Sequence, residues 1–186
     1  MSKRPEGCTY IPDYVGARAE RAWLRAIFAA PWSEALRRRT QHYGYRYDYQ
    51  VRSASPESYL GPLPNWSLAL TKRLQRDVGA RHPPDQIIIN EYQPGQGISP
   101  HIDCLVSFAE PIISLSLLSD IEMEFARGPE VLQTRLAARS ALILAGPARS
   151  IWSHSIRPRK FDRVDGLRVK RARRLSMTFR WLRKVD

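Results

Sequence analysis

The spacing of apolar residues along the first half of the chain predicts two helices. Apolar side chains recur at intervals of three and four residues over positions 15–27 and again over positions 66–78. Pro31 limits the first of these helices, because proline cannot continue a helical hydrogen-bond pattern. Gly79 stands where the second one should end, since glycine readily adopts the backbone conformation that closes a helix.

Strands are indicated by short runs in which apolar or aromatic residues alternate with polar ones. The tyrosines of positions 43–49 form one such run, and a Ser- and Pro-rich loop at 52–64 follows it. From residue 86 onward, strands alone are predicted. The predicted strands cover residues 8–11, 43–49, 86–92, 99–104, 112–118, 121–126, 140–145, 150–155 and 174–183. Many short strands at near-regular spacing are typical of a sandwich, a barrel or a jelly roll.

Length and composition indicate a single domain. With 186 residues, 43% of them apolar, the chain is long enough to bury one core. No run approaches the roughly 18 uninterrupted apolar residues of a membrane span, and the N-terminus lacks the apolar run of a secretory signal. Cys8 and Cys104 are too few for a disulfide framework. We therefore expect a cytoplasmic protein without a membrane segment, and we take a monomer as the working expectation.

The charge of the chain is strongly positive and unevenly distributed. Thirty basic residues, of which twenty-five are arginine, stand against eighteen acidic ones, for a net charge of +12. Residues 157–184 hold twelve Lys and Arg but only Asp162 and Asp165 as acids. A basic segment of this kind indicates a polyanionic partner such as nucleic acid, and the plainer alternative is a solvated basic surface.

Candidate metal ligands occur in the second half of the chain. His101 and Asp103 are two residues apart in a predicted strand, so both side chains are expected on one face. His154, in a second predicted strand, is the natural third ligand. Two histidines and one carboxylate arranged on one side of a metal, with open positions left over, define the non-haem iron(II) site.

The last predicted strand alternates strictly between polar and apolar residues. Arg174, Ser176, Thr178 and Arg180 share one face of it, and apolar residues share the other. An edge strand with a solvated face would have the same pattern. Alternatively, two arginines turned into a β-fold would hold an extended dianion, because an unpaired buried charge is very costly.

Together these segments resemble the AlkB family of iron(II)- and 2-oxoglutarate-dependent dioxygenases. The family's signature combines H-x-D, a distant His and R-x-x-x-x-x-R in a final strand, and the sequence Asn90-Glu91-Tyr92-Gln93-Pro94-Gly95 matches its N-x-Y-x-P-G segment. The blocks 90–103, 152–154 and 159–161 are most similar to AlkB homologues that act on tRNA wobble uridines.

The resemblance implies a mainly β fold, the double-stranded β-helix or jelly roll, with supporting N-terminal helices. Residues 86–186 would form the catalytic core, and residues 1–85 a support that takes part in nucleotide recognition. The implied iron(II) ligands, which are also the catalytic residues, are His101, Asp103 and His154. The implied 2-oxoglutarate-binding residues are Asn90, Tyr92, Arg174, Ser176 and Arg180.

Within that set, the resemblance assigns the two ends of 2-oxoglutarate to different residues. Arg174, with Ser176 and Tyr92, would hold the distal carboxylate. Arg180 and Asn90 would lie near the keto-acid end, although which end each of them favours stays open. Ser176 departs from the asparagine that family members often have at this position, but a serine hydroxyl can still donate a hydrogen bond.

The implied activity is oxidative dealkylation of alkylated bases in DNA or RNA, with O2 as the second co-substrate and single-stranded nucleic acid or tRNA as the partner. Hydroxylation or demethylation of a modified tRNA nucleoside is the alternative. Leu105 supports it, because DNA-repair members often carry an acidic residue at this position. A protein substrate, or a metal-bearing binding module without turnover, is a third possibility. The tyrosines of 43–49 and Trp66 are candidates for stacking on a base.

Overall fold

The computed structural model describes residues 4–51, 53–164 and 166–183. Arg52 of the predicted loop, and Asp165 and Lys184 of the basic segment, lie outside the described residues, as does the extreme N-terminus at 1–3. The strands are β1 (Cys8–Ile11), β2 (Thr40–Tyr43), β3 (Gln86–Tyr92), β4 (Ile98–His101), β5 (Phe108–Leu117), β6 (Ile121–Arg127), β7 (Glu130–Leu136), β8 (Ala141–Leu144), β9 (Ser153–Ile156), β10 (Phe161–Val164), β11 (Leu167–Lys170) and β12 (Arg174–Leu182). The helices are α1 (Ala17–Ala29), α2 (Leu68–Asp77) and the short α3 (Gly146–Ser150).

Both helices of the first half lie where the apolar spacing predicts them. Helix α2 follows directly on a 3-10 turn at Asn65–Ser67, and Val78 caps its C-terminus. Gly79 then adopts a φ of +66°, the left-handed conformation that ends a helix most easily at glycine. No helix in the described part of the chain has the length and apolarity needed to cross a bilayer.

The strand predicted from the alternating tyrosines at 43–49 is wrong. Strand β2 ends at Tyr43, and beyond it Tyr45 and Asp48 form only isolated bridges, with Tyr59 and Ser53. The reason is Gly44, which has a φ of +79° and lies so close to the Asp85 carbonyl that no Cβ would fit. The chain turns away from the sheet at this glycine, and the tyrosines that follow lie in a loop.

Two antiparallel sheets form the jelly roll that the resemblance implies. The larger sheet has the order β1-β8-β5-β12-β3-β2, and the smaller one the order β4-β9-β6-β7. Apolar residues from both sheets, among them Ile112, Leu142 and Phe125, form one buried cluster between them. A second cluster lies on the other face of the larger sheet, where α1 and α2 cover it. The mainly β fold with supporting helices is thus confirmed, whereas the division at residue 86 and the monomeric state stay predictions.

Strand β12 lies inside the larger sheet, hydrogen-bonded to β5 on one side and β3 on the other. It is therefore not an edge strand. Leu175, Met177 and Phe179 are fully buried in the cluster beneath the helices. The alternate residues of the strand consequently face the space between the two sheets.

Four elements in the second half were not anticipated from the sequence. Strand β7 pairs with β6, and α3 joins β8 to β9. Strands β10 and β11 form a separate two-stranded hairpin, in which Arg163 lies opposite Arg168. The basic segment between β9 and β12 thus contains a β-hairpin, and in its second strand Arg168 and Lys170 alternate with Leu167 and Val169.

Replacing Phe179 by alanine tests the position of β12 in the core. Phe179 is fully buried, so the substitution should lower the free energy of unfolding by about 3–5 kcal/mol through lost apolar contact and the cavity left behind. Leu167→Ala is the control, because Leu167 is 71% exposed and should change stability by less than about 0.5 kcal/mol. Urea unfolding followed by circular dichroism measures both variants. An equal loss of unfolding free energy in the two would contradict the placement of β12 in the core.

Candidate active site

A cavity of about 410 Å³ lies between the two sheets. All eight residues singled out from the sequence line it: Asn90, Tyr92, His101, Asp103, His154, Arg174, Ser176 and Arg180. Thr178 lines the cavity as well, so the whole polar face of β12 points into it. The structure therefore brings together, in one enclosed space, residues that are up to ninety positions apart in the chain.

The two histidines are brought together by strand pairing. His101 at the end of β4 lies opposite His154 on β9, and the centres of their rings are 4.3 Å apart. Asp103 joins them, with its Oδ2 atom 3.9 Å from His154 Nε2. Strand β4 ends at His101, however, so Asp103 is not placed by strand alternation as the sequence suggested.

Arg149 and Arg180 hold Asp103 in position instead. From α3, the buried Arg149 donates hydrogen bonds to the carbonyl oxygens of Asp103, at 2.7 Å, and Cys104, at 3.0 Å. From β12, Arg180 Nη2 donates to Asp103 Oδ1 at 2.6 Å, and its Nη1 donates to Gln86 Oε1 at 3.1 Å. The backbone and the carboxylate of Asp103 are thus each fixed by an arginine.

Burial and charge set the protonation of this triad. Burial, and after it the neighbouring His101, lowers the pKa of His154 to about 4. Burial also lowers the pKa of His101. Although burial alone would raise the pKa of Asp103, Arg180 and the two histidines hold it below its ordinary value. Near neutral pH the three side chains are therefore two neutral imidazoles and one carboxylate, the forms that bind a metal.

The donor types fit iron(II), with one qualification from the geometry. His101 Nδ1 lies 2.8 Å from the Ser99 carbonyl oxygen, which fixes that ring and leaves Nε2 as its free ligand atom. Among the described residues, no three His, Cys, Asp or Glu side chains converge as closely as the ligands of a bound ion. The fit therefore rests on two imidazoles and a carboxylate facing one cavity, with Asp103 Oδ1 drawn toward Arg180.

Arg174 lies elsewhere on the cavity wall and lacks a full set of partners. It is 0% exposed, and its Nη2 donates to Ser116 Oγ at 2.8 Å. Its Nε and Nη1 atoms have no hydrogen-bond partner in the described part of the chain, and burial lowers the pKa of Arg174 to about 10. A buried guanidinium with unpaired donors is costly, and a carboxylate is the group that satisfies such a fork. This site fits one end of 2-oxoglutarate.

The residues around Arg174 complete a polar wall. Ser176 and Ser114 share a hydrogen bond of 2.9 Å, and the guanidinium carbon of Arg174 lies 5.4 Å from the centre of the Tyr92 ring. Asn90 lies farther along β3, and its Oδ1 accepts a hydrogen bond of 2.9 Å from Arg38 Nε.

Several residues at the cavity were not predicted from the sequence. They are Arg38 and Ser114, which line it, and Arg149 and Ser116, which hold lining residues. Of the tyrosines named as stacking candidates, Tyr47 and Tyr49 also line the cavity. Neither Arg38 nor Arg149 belongs to a motif or a regular alternation, so the sequence offered no signal that separates them from the other arginines.

A family model described as the 2OG-Fe(II) oxygenase superfamily matches residues 7–180. The chain belongs to this superfamily. It is accordingly an oxygenase that uses iron(II) as cofactor and 2-oxoglutarate and O2 as co-substrates.

Curated relatives place the chain among the AlkB homologues. It is 36% identical to the tRNA (carboxymethyluridine(34)-5-O)-methyltransferase alkbh8 of Xenopus tropicalis, over 96% of this chain and 32% of that protein. It is 35% identical to the alkylated DNA repair protein ALKBH8 homolog of Arabidopsis thaliana, over 95% of this chain and 58% of that protein. Protein L905 of Acanthamoeba polyphaga mimivirus is 37% identical, over 96% of this chain and 86% of its own length. The chain thus spans about a third of the Xenopus relative.

Solved structures show the same fold at lower sequence identity. OsALKBH1 superposes with a TM-score of 0.74 at 17% identity, covering 97% of this chain and 99% of that one. A Pseudomonas putida prolyl-4-hydroxylase superposes with a TM-score of 0.63 at 14% identity, covering 96% and 94%. Both likenesses concern the fold alone.

Replacing Arg174 by methionine should separate stability from co-substrate binding. Without 2-oxoglutarate, the free energy of unfolding should rise by on the order of 1 kcal/mol, because an unsatisfied buried charge is removed. The affinity for 2-oxoglutarate should fall about ten- to a hundred-fold through loss of a charge-assisted contact. Arg173→Met is the control, since Arg173 is exposed beside it. Urea unfolding and a 2-oxoglutarate titration measure the two effects, and an unchanged affinity would contradict the assignment of Arg174.

Proposed function

We propose that this chain carries out the oxidative dealkylation of alkylated bases in RNA or DNA, with His101, Asp103 and His154 as iron(II) ligands. Arg174, Ser176 and Tyr92 bind the distal carboxylate of 2-oxoglutarate in this proposal, and Asn90 and Arg180 lie toward the metal. One observation carries it. The fully buried Arg174, two of whose donors are unpaired among the described residues, lines the same cavity as the triad, so a dianion and a metal can share one cavity.

When bound, iron(II) supplies the oxidising chemistry that couples conversion of 2-oxoglutarate to succinate and carbon dioxide with hydroxylation of an alkyl carbon. The chain contributes binding, orientation and exclusion of water. Arg174 fixes the orientation of the co-substrate by its distal end. Arg180 and Arg149 hold the Asp103 carboxylate and its backbone. On an N-methyl group the hydroxylated product loses formaldehyde, whereas on a more stable carbon the hydroxyl stays.

The distribution of unpaired positive charge supports a nucleic-acid substrate. Ion pairs neutralise part of the basic segment, because Arg159 and Arg171 both bind Asp162 and Arg157 binds Glu124. The basic side chains of the hairpin that remain exposed are Lys160, Arg163, Arg168 and Lys170. They leave a positive ridge formed by β10 and β11, the kind of surface along which a phosphate backbone binds.

This hairpin lies beside a groove that adjoins the cavity. Gly95 N donates to the Arg159 carbonyl at 3.1 Å, which joins the base of the hairpin to the segment before β4. The groove is lined by residues 95–100 and 155–158 and shares Arg38 and residues 98–100 with the cavity. A strand bound along the hairpin would therefore have the mouth of the active site within reach, with the target base out of its stack.

The second candidate is hydroxylation or demethylation of a modified tRNA nucleoside. The names of several relatives at 32–36% identity support it, since they refer to tRNA carboxymethyluridine at position 34. Leu105 supports it as well, because it is 43% exposed in the turn after Asp103 and offers no carboxylate to an adenine or cytosine amino group. A protein substrate is less favoured and is left as an outcome of the tests below.

The direct test is nucleoside mass spectrometry after incubation of the purified chain with iron(II), 2-oxoglutarate, ascorbate and either alkylated RNA, alkylated DNA or tRNA. We expect hydroxylated or dealkylated nucleosides together with succinate. His101→Ala should abolish both products and reduce iron binding from near one per chain to near zero, since a ligand is lost. His82→Ala is the control, because His82 lies outside the cavity.

Asp103→Asn accompanies His101→Ala in this test, because asparagine removes the negative charge but keeps a side-chain oxygen that accepts the hydrogen bond from the buried Arg180, whereas alanine would leave Arg180 without that acceptor. Retention of full turnover in either variant would contradict the iron assignment. Succinate release that is raised by a protein extract and by none of the nucleic acids would favour the protein-substrate alternative.

The positive ridge formed by β10 and β11 predicts that the affinity for single-stranded RNA falls as the salt concentration rises. The variant replaces Arg163, Arg168 and Lys170 by serine. Arg171 is left unchanged, because it is buried against Asp162 and its loss would disturb the hairpin. On single-stranded RNA each phosphate contact contributes about 0.7 to the slope of log K against log salt, so the slope should flatten by about 2.

The matched control removes the same charge from the opposite side of the molecule. Arg18, Arg21 and Arg25 are exposed on α1, which covers the face of the larger sheet away from the cavity. Their joint replacement by serine should leave the slope nearly unchanged. Fluorescence anisotropy with a labelled RNA decamer across a salt series measures both variants. An equal loss in the two would mean that net charge alone, and not the hairpin, attracts the RNA.

A further inference from the structure

Three consecutive arginines, Arg37, Arg38 and Arg39, precede β2, and the structure gives them different environments. Arg39 binds the buried Glu91 through two hydrogen bonds, of 2.8 and 3.1 Å, and stacks on Trp32. Arg37 is exposed, and its carbonyl accepts a hydrogen bond of 2.7 Å from Gln96. These two contacts fix the backbone on both sides of Arg38, so its side chain starts from a constrained position.

Arg38 lines both the active-site cavity and the adjoining groove. Its Nε atom donates to Asn90 Oδ1 at 2.9 Å, which holds the guanidinium at the cavity mouth. Within the described ranges, Nη1 and Nη2 of Arg38 donate to no protein atom, and no carboxylate lies within ion-pair distance. The guanidinium therefore presents two free donors where the cavity opens into the groove.

With iron(II) and 2-oxoglutarate bound, the cavity would carry an excess of positive charge, and Arg38 would have no anion to bind. Of the described residues, three arginines line it, Arg38, Arg174 and Arg180, against the single carboxylate of Asp103. Iron(II) would add two positive charges and the 2-oxoglutarate dianion would remove them, so an excess of two positive charges would remain. The distal carboxylate would match Arg174, Asp103 matches Arg180, and the other carboxylate of 2-oxoglutarate would leave one of the two excess charges on the iron. The second excess charge is that of Arg38, the one arginine of the three without a counter-ion, which is partly removed from water.

We propose that Arg38 is the anion-binding residue for the substrate in this site. Its guanidinium donates hydrogen bonds to an anionic oxygen of the nucleotide that enters the cavity. This inference rests on the proposed function and adds a specificity requirement to it. Two sources share the chemistry, namely the phosphodiester beside the reacting nucleotide and a carboxylate at the end of the base substituent. A planar guanidinium with two free amino groups matches either one through paired hydrogen bonds.

Two substitutions separate the charge of Arg38 from its contact with Asn90. Arg38→Gln removes the charge but keeps an amide donor for Asn90. Arg38→Lys keeps the charge but loses the planar fork. Arg25→Gln on α1 is the control, because it removes an exposed arginine far from the cavity. A residue that merely supported Asn90 would be replaced well by glutamine, whereas an anion-binding residue would be rescued better by lysine.

The first arm measures binding of a labelled single-stranded RNA decamer to the full chain with 2-oxoglutarate, under anaerobic conditions and across a salt series. If the anion is the phosphodiester, Arg38→Gln weakens binding about ten- to a hundred-fold. It also flattens the slope of log K against log salt by about 0.7. A decamer with one neutral methylphosphonate linkage at the bound position loses the same affinity in the wild type and loses nothing further in the variant.

The second arm uses nucleosides, which carry no phosphate. If the anion is a carboxylate on the base, the wild type binds 5-carboxymethyluridine about ten-fold or more tightly than its methyl ester. Arg38→Gln abolishes that preference, and Arg38→Lys restores part of it. Competition against the labelled decamer gives both affinities.

The outcomes separate this inference from the proposed function. If the wild type binds RNA or nucleosides and Arg38→Gln has the same affinities and salt slope as Arg25→Gln in both arms, the role of Arg38 is overturned. The proposed function is not affected by that result. The role of Arg38 is also overturned if Arg38→Gln binds the probes as tightly as the wild type while Arg38→Lys binds them weakly. A wild type that binds neither probe while still binding 2-oxoglutarate overturns the nucleic-acid substrate and this inference together.

Discussion

Two arginines on one face of the central strand β12 lie inside the protein, and the organisation of the site follows from the need to match their charges. Arg174 is completely buried and Arg180 is 9% exposed. An uncompensated charge in such a position is strongly destabilising, so each must meet an anion. The protein supplies one anion, Asp103, to Arg180. For Arg174 the described residues supply the Ser116 hydroxyl alone, and two of its donors, Nε and Nη1, stay unpaired.

This division links folding to co-substrate binding. The Asp103 carboxylate serves two purposes, since it neutralises Arg180 and lies beside the two histidines. The residue that balances the core is therefore also the residue that would bind the metal. Arg174, in contrast, would gain further hydrogen bonds on binding a carboxylate, as the proposed function requires. A ligand that binds only the folded state stabilises it by an amount that rises with ligand concentration, so 2-oxoglutarate bound at Arg174 would stabilise the fold.

The need to match each charge with an opposite one also divides the arginines at the surface into those that form ion pairs and those that do not. Net charge alone suggests that the whole segment between β9 and β12 could face a polyanion. In the structure, Asp162 forms ion pairs with Arg159 and Arg171, and Glu124 forms one with Arg157. The pair with Glu124 joins the segment before the hairpin to β6 of the smaller sheet, and the pairs with Asp162 hold the base of the hairpin together. The cations left over lie on the hairpin itself, and a polyanion would be attracted to a ridge much narrower than the basic segment.

The sequence determined those features that depend on neighbouring residues along one element. Alternation in β12 placed Arg174, Ser176 and Arg180 on one face, because side chains of a strand alternate with a period of two. Helical spacing located α1 and α2, and the H-x-D segment with His154 marked the residues that the two sheets bring together. Glycine at position 44 ended β2 early against an alternation of tyrosines, because a backbone requirement there outweighs the side-chain pattern.

Only the tertiary structure decided which distant charges meet. Asp103 lies beyond the end of β4, so its position comes from Arg149 and Arg180, forty-six and seventy-seven residues away. Arg38 and Arg39 are adjacent and chemically identical, yet one binds Glu91 and the other faces the cavity. No local pattern encodes such a choice, since it depends on where the folded chain places the few available carboxylates relative to each guanidinium.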